Sequence, residues 1–305
     1  MELRQLQYLV DVIDEASFTK AAAKAHVAQP GVSAQVRRLE RELGQTLLDR
    51  SGGTVRPTAA GDAILPYART VLGAVAGIRQ TTDALAGLVR GHLTLGMVAS
   101  ISTPRLDLPG LLAGFHHDHP GIEITLVEAP SDQLLAGLRT GRIDIALIGL
   151  GPQPPADDIE TRVLAHEPIA VAVSPHHPLA TRKTLTLDAL RDQALITLPP
   201  GTGLRSQLDA ACTAAGFQPR IAFEVGDPRL LAQLAASGLG AAVLPASAAD
   251  SHPAPLHVLA LTSPRIHGRI ALAWRTGHPA SPATRVFLNH ADPGESFRWP
   301  AGRRI

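Results

Sequence analysis

From Gly91 onward, short β-branched apolar runs alternate with helical patterns, and this alternation limits the possible folds more than any other feature of the chain. Strand patterns fall at 93–98, 122–128, 143–148, 169–173, 194–198, 221–225, 241–244 and 270–274. Helical patterns fall near 106–116, from Ser131 to Gly141, at 204–215 and near 281–289. Strands alternating with helices predict an α/β domain with much parallel sheet. The chain has 305 residues, long for one domain and comfortable for two, and 45% of them are apolar, enough for a sizeable core.

The first 58 residues have a different texture, of short charged amphipathic helices. Leu6, Leu9, Val10 and Ile13 recur at helical spacing. Ser17 or Thr19 can cap a second helix through Ala21-Ala22-Ala23, and His26-Val27-Ala28 breaks it. Gln29-Pro30 opens a third helix, with Pro30 in the first turn where its missing N–H is harmless. At 100° per residue, Val32, Val36, Leu39 and Leu43 share one side of that helix. Pro30, Ser33, Ala34, Arg37, Arg38 and Arg41 share the other.

That outer face has short residues at its tip and arginines further along. A helix entering a major groove needs short readers at the tip and cations where it passes phosphates. A solvated basic face interleaved with Glu40 and Glu42 is the alternative. Residues 44–58 read as two short strands around Ser51-Gly52-Gly53, a wing with Arg50 and Arg56 at its flanks.

These residues closely resemble the LysR-type transcriptional regulators. The resemblance rests on Ser17-Phe18-Thr19-x-Ala21-Ala22, His26-Val27-Ala28-Gln29-Pro30, Ser33, Arg38-Leu39-Glu40, Glu42-Leu43-Gly44, Leu47, Arg50 and Thr58-x-Ala60-Gly61. Many matched positions at fixed spacing carry far more information than one short motif. The resemblance implies a DNA-binding winged helix-turn-helix, a linker helix and a two-lobed effector domain like periplasmic binding proteins. It places Ala28, Gln29, Pro30, Ser33, Ala34 and Arg38 at or near duplex DNA, with wing contacts around Gly52 and Gly53. The basic pattern adds Arg37 and Arg50. Gly31 departs from the larger helix former usual in the family, and Leu48 from a frequent Phe.

The expected divisions are a DNA-binding domain over 1–58, a linker and dimerisation helix over 59–90 and an effector domain over 91–295. Lobe I is expected near 91–162 and 266–295, lobe II near 163–265. Ile64, Val71, Ile78 and Leu85 recur by sevens with Ala68, Val75 and Thr82 between them, a heptad seam that asks for a partner helix. The same seam could instead pack on the chain's own C-terminal domain. Pro66 should kink or delimit this helix. A homodimer follows from the seam, and a homotetramer from the resemblance.

Ligands of open α/β sheets lie at the C-terminal ends of strands. That rule nominates Ser100, Ser102, Thr103, Gly149, Thr202, Gly203 and Asp227 for a small polar or anionic effector between the lobes. Ser131 and Thr202 serve equally well as plain helix caps. Helix dipoles and hydroxyls would meet the ligand's charge.

Other classes are disfavoured. His116-His117-x-His119 lacks the partner spacing of a metal site and reads as a loop, so neither metal nor cofactor is expected. Gly238-Leu239-Gly240 precedes a strand and so ends a helix instead of binding a dinucleotide. Cys212 is the lone cysteine, which fits a reducing compartment. Family members that sense oxidants use a cysteine pair. Aromatic residues make up 3% of the chain, too few for single-strand stacking platforms. Net charge is only +1, so any DNA-binding surface must be local. No signal peptide or membrane-spanning run is visible, and a cytoplasmic location is expected. The remaining alternative is an enzyme or solute-binding protein whose N-terminal helices only oligomerise, although no catalytic constellation stands out.

Overall fold

The computed structural model describes residues 1–51, 54–85, 90–99, 106–250, 255–276 and 281–291, with backbone alone at 79–81 and 83–85. Two compact units emerge, one built chiefly on Met1–Gly91 and the other chiefly on the chain from His92 onward.

In the first unit, α1 (Leu3–Glu15), α2 (Phe18–Lys24) and α3 (Gln29–Leu43) pack around Leu9, Val12, Ala21, Val32, Val36 and Leu39. Ser17 is the cap of α2, its Oγ accepting the Lys20 N–H at 3.3 Å. Helix α3 stops where Gly44 takes the left-handed conformation, φ +65°. The wing strands β1 (Leu48–Asp49) and β2 (Arg56–Pro57) pair antiparallel. Thr58 Oγ1 then accepts the Gly61 N–H at 3.1 Å and opens α4 (Ala59–Leu85). A side chain at Gly61 would fall on the Leu47 carbonyl, so only glycine lets this helix start against the wing. Helix α4 continues through Pro66, which therefore does not delimit it.

Two sequence expectations for α3 need correction. Leu43 is 37% exposed, since it lies in the last turn, past the neighbours that cover Leu39. Ser33 is 7% exposed, because it stands beside Val32 at the flank of the buried stripe and not on the outer face. The seam on α4 is also divided. Ala68 is buried and Ile64 and Leu72 pack on the same core, whereas Tyr67, Val71 and Ile78 are 74, 40 and 67% exposed.

The second unit is a two-lobed α/β domain. Its strands are β3 (Gly91–Met97), β4 (Ile122–Glu128), β5 (Ile145–Gly149), β6 (Ile159–Val173), β7 (Thr184–Thr186), β8 (Leu195–Thr197), β9 (Ile221–Glu224), β10 (Ala241–Pro245), β11 (His257–Ser263) and β12 (His267–Arg275). The hydrogen-bonded order is β4-β3-β5-β12-β6-β10-β8-β9, with β11 pairing both β6 and β7. Helices α5 (Leu108–Asp118), α6 (Ser131–Arg139), α7 (Gly203–Ala214), α8 (Pro228–Ala236), α9 (Ala246–Asp250) and α10 (Pro282–His290) accompany the sheets. Phe115 of α5 meets Phe287 of α10 edge to face at 5.0 Å. His116 and His117 end α5 and are not in a loop as the sequence suggested.

Strand β6 is three times longer than its apolar pattern indicated. Residues 159–168 pair with β12, and residues 169–173 pair with β10 and β11. It thus belongs to the sheets of both lobes, and β12 lies beside it, pairing also with β5.

Candidate functional site

The outward face of α3 has three parts. Ala28 occupies the cap position without a side-chain hydrogen bond, and Ala28, Gln29 and Pro30 are exposed around an open first turn. Ala34, Arg37, Arg38 and Arg41 continue the exposed face. Arg38 lies 3.8 Å from the Glu2 carboxylate, a pair exposed on both sides and therefore weak.

The third part is the junction of α3 with the wing, organised by Glu40. Its Oε1 accepts the Leu47 and Leu48 N–H groups at 2.9 and 3.2 Å, and its Oε2 holds Arg50 at 3.0 Å. The Arg50 guanidinium also lies 4.8 Å from the centre of the Phe18 ring. Arg50 is thus engaged inside the domain, where the sequence suggested a wing cation facing DNA. In the sequence pattern Glu40 stands only as an acid interrupting a basic face. Hydrogen bonds from the Ser51 backbone and hydroxyl lower the Asp49 pKa, keeping this wing carboxylate ionised. Gly52 and Gly53 lie outside the described residues.

The α/β domain contains a cavity of about 560 Å³, its open mouth included. Side chains alternate along a strand, so Ala165, Glu167 and Ile169 of β6 share one face. Gly268 and Ile270 pair opposite Glu167 and Ala165 on β12 and complete the floor. One lobe supplies Val98, Ser131, Gly149 and Leu150; the other supplies Leu198, Thr202, Gly203, Leu204 and Pro245.

The two sides touch closely. The Asp132 N–H donates to the Gly201 carbonyl at 3.3 Å, and Gln207 Nε2 donates to the Leu150 carbonyl at 3.5 Å. Gly203 lies against the Gly149 backbone so closely that any side chain there would collide with it. Both hydroxyl oxygens have partners within the chain. Ser131 Oγ accepts the Gly149 N–H at 3.2 Å, and Thr202 Oγ1 donates to the Pro199 carbonyl at 2.8 Å instead of capping α7.

Gly149, Thr202 and Gly203 therefore come together as the strand-end rule proposed. Asp227 does not join them; it is exposed and caps α8, accepting the Arg229 N–H at 2.9 Å. Ser100, Ser102 and Thr103 lie outside the described residues. Sequence reasoning missed Ala165, Glu167, Gly268, Arg269 and Ile270. The alternation of Ile159, Thr161, Val163, Ala165 and Glu167 could have signalled the strand. Arg269 lines the cavity, but its guanidinium donates to the Gly151 carbonyl at 2.8 Å.

Residues 3–62 match the model of the bacterial regulatory helix-turn-helix protein, lysR family, and residues 86–293 match that of the LysR substrate binding domain. The chain belongs to the LysR family of transcriptional regulators. The hydrogen peroxide-inducible genes activator of Pectobacterium carotovorum is 33% identical over 281 residues, 92% of each chain. The full-length structure of a single-substitution OxyR variant from Pseudomonas aeruginosa superposes with a TM-score of 0.74 at 32% identity, covering 95% of this chain and 97% of that one. Full-length CbnR complexed with its target DNA gives 0.61 at 28% identity, covering 95% and 98%. This LysR regulator is accordingly a DNA-binding protein whose helix-turn-helix precedes a two-lobed effector-binding domain. No helix among the described residues is long and apolar enough to cross a membrane.

The regulator's lone thiol has a different setting from a reactive one. Cys212 is fully buried in α7, and burial together with nearby Asp209 pushes its pKa up to about 11. Thiolate is the reactive form, so this cysteine is inert near neutral pH.

Proposed function

We propose that this LysR regulator binds promoter DNA as a dimer paired along α4 and answers to a small polar ligand held in the cavity between its lobes. The observation that carries the DNA reading is the exposed face of α3, short at Ala28, Gln29, Pro30 and Ala34 and cationic at Arg37, Arg38 and Arg41. The short residues let the helix tip reach base edges, and the arginines meet phosphates on either side. Arg50 contributes by fixing the wing, and Gly52 and Gly53 are assigned to contacts with the DNA backbone on the sequence pattern alone. Ser33 acts from its buried position, setting the angle at which the first turn is presented.

The stripe of Tyr67, Val71 and Ile78 supports pairing, because a second α4 covers it and brings two recognition helices to two half-sites. A dimer of such dimers is the working assembly. The functional divisions are 1–58 for DNA, 59–90 for pairing and 91–295 for the effector. The protein works in the cytoplasm without catalysis of its own.

Gel-shift titration of the full chain against a promoter fragment and random duplex, at rising salt, tests this reading. Specific retention that weakens steeply with salt is expected, since bound cations displace counterions from phosphate. Equal retention of both duplexes at low ionic strength would reject it.

A further inference from the structure

Among the described residues, Glu167 is a carboxylate that no cation pairs with. It is 8% exposed, stands on the cavity floor, and its Oε1 accepts the Ser247 N–H at 2.7 Å. No ion pair reaches it, and its second oxygen has no hydrogen bond, among the described residues. The bond to Ser247 occupies one oxygen at the start of α9 and leaves the other without a hydrogen-bond partner among the described residues. Across the strand pair, Glu167 faces Gly268, and both residues line the cavity. Arg269, the cationic lining residue, sits opposite His166 in the register and is tied to Gly151. The walls around the acid are largely apolar: Leu150, Ile169, Leu198, Leu204, Pro245 and Ile270. A buried carboxylate in such walls is costly unless a cation and a hydrogen-bond donor complete it.

We propose that the effector carries a protonated amine, or an equally compact cation, which pairs with Glu167 while an apolar body fills the space beneath Leu198 and Leu204. This rests on reading the cavity as the effector site. It replaces the anionic ligand suggested by the strand-end rule, because an uncompensated carboxylate on the floor repels an anion, and the Thr202 hydroxyl and Asp132 N–H already donate within the chain.

Benzylamine, benzyl alcohol and benzoate have the same body and differ in charge, so calorimetric titration of the full-length protein with each isolates the head group. Benzylamine is expected to bind at least about tenfold more tightly than benzyl alcohol, the difference a charge-assisted hydrogen bond supplies. Glu167→Gln, which keeps an acceptor for Ser247, should erase that advantage while the protein stays folded, with the melting temperature falling by a few degrees at most. Ala165→Leu narrows the cavity without altering charge and should abolish benzylamine binding. Benzoate binding tighter than benzylamine, and lost in Ala165→Leu, would overturn the cationic ligand while keeping the cavity as the site. Benzylamine binding that survives Ala165→Leu would overturn both. Equal benzylamine affinity in wild type and Glu167→Gln, or none in wild type, would overturn the cationic ligand.

Discussion

Glu40→Ala removes one carboxylate and three interactions, and the structure allows the consequence to be worked out. Leu47 and Leu48 are fully or nearly buried, so their N–H groups, 2.9 and 3.2 Å from Glu40 Oε1, cannot turn to water when the acceptor is lost. Each unsatisfied donor costs about 1–3 kcal/mol. The pair with Arg50 is partly exposed and adds under about 1 kcal/mol. Together these come to about 2–7 kcal/mol, concentrated at the root of the wing. Glu40→Gln retains an oxygen for the two amides and surrenders only the charge on Arg50, so it should cost about 1 kcal/mol or less. Amide exchange followed by mass spectrometry on peptides spanning 45–50 separates the two variants. Protection should fall at least about thirtyfold in Glu40→Ala and only a few-fold in Glu40→Gln, with DNA affinity falling in the same order. Equal protection in wild type and Glu40→Ala, or equal damage by both substitutions, would refute the idea that this side chain brackets the wing.

Replacing Val71 and Ile78 together by Asp should give monomers by light scattering and weaken operator binding by about 10²-fold or more, as the second half-site ceases to be tethered; an unchanged mass would reject the α4 seam. Gly203→Ala drives a Cβ into the Gly149 backbone. This should cost about 1–3 kcal/mol and lower the calorimetric melting temperature of the α/β domain by about 3–8 °C, and an unaltered transition would show that the contact is slack. Burial raises the Cys212 pKa to about 11, so the reactive thiolate grows only as pH climbs toward that value. Native protein at pH 7 should resist thiol-labelling reagents and keep its DNA affinity in hydrogen peroxide; stoichiometric labelling within minutes would contradict the burial argument.

The DNA-binding half was legible because its information is local. The Ser17 cap, Pro30 in a first turn, the Val32-Val36-Leu39 stripe and Gly44 as a stop lie within a few residues of what they determine. The errors there arose where angle alone decides exposure. Ser33 lies at the margin of the stripe, and Leu43 runs past the end of the packing helices. Glu40 escaped notice because its partners, Leu47, Leu48 and Arg50, come from a turn whose path no helical wheel gives. In the α/β domain, strands with apolar runs were visible, whereas the first part of β6 was hidden by its charges and by Pro168, a residue that argues against a central strand. The cavity floor depends on β6 meeting β12 about a hundred residues later. Asp227 shows the same limit: the strand-end rule names loops, but only the three-dimensional path tells which of them converge.

Strands β6 and β12 connect the lobes, and this separates what holds a ligand from what makes it a signal. Glu167 stands on the shared strands, so a ligand fastened only there gains equally whether the lobes are near or apart. Equal affinity for two states shifts nothing, however tight the binding. The walls differ in kind. Gly149 and Leu150 belong to one lobe, and Leu198, Gly203 and Leu204 to the other. The contacts that now join them, from Asp132 to Gly201 and from Gln207 to Leu150, are long hydrogen bonds of 3.3 and 3.5 Å. A ligand body that touches both walls adds free energy to the closed arrangement alone, and every ~1.4 kcal/mol so added moves the population tenfold. Head group and body therefore have distinct tasks: the first sets affinity through Glu167, the second sets the response. A cation too small to span from Leu150 to Leu204 should bind without switching the regulator and should compete with one that does.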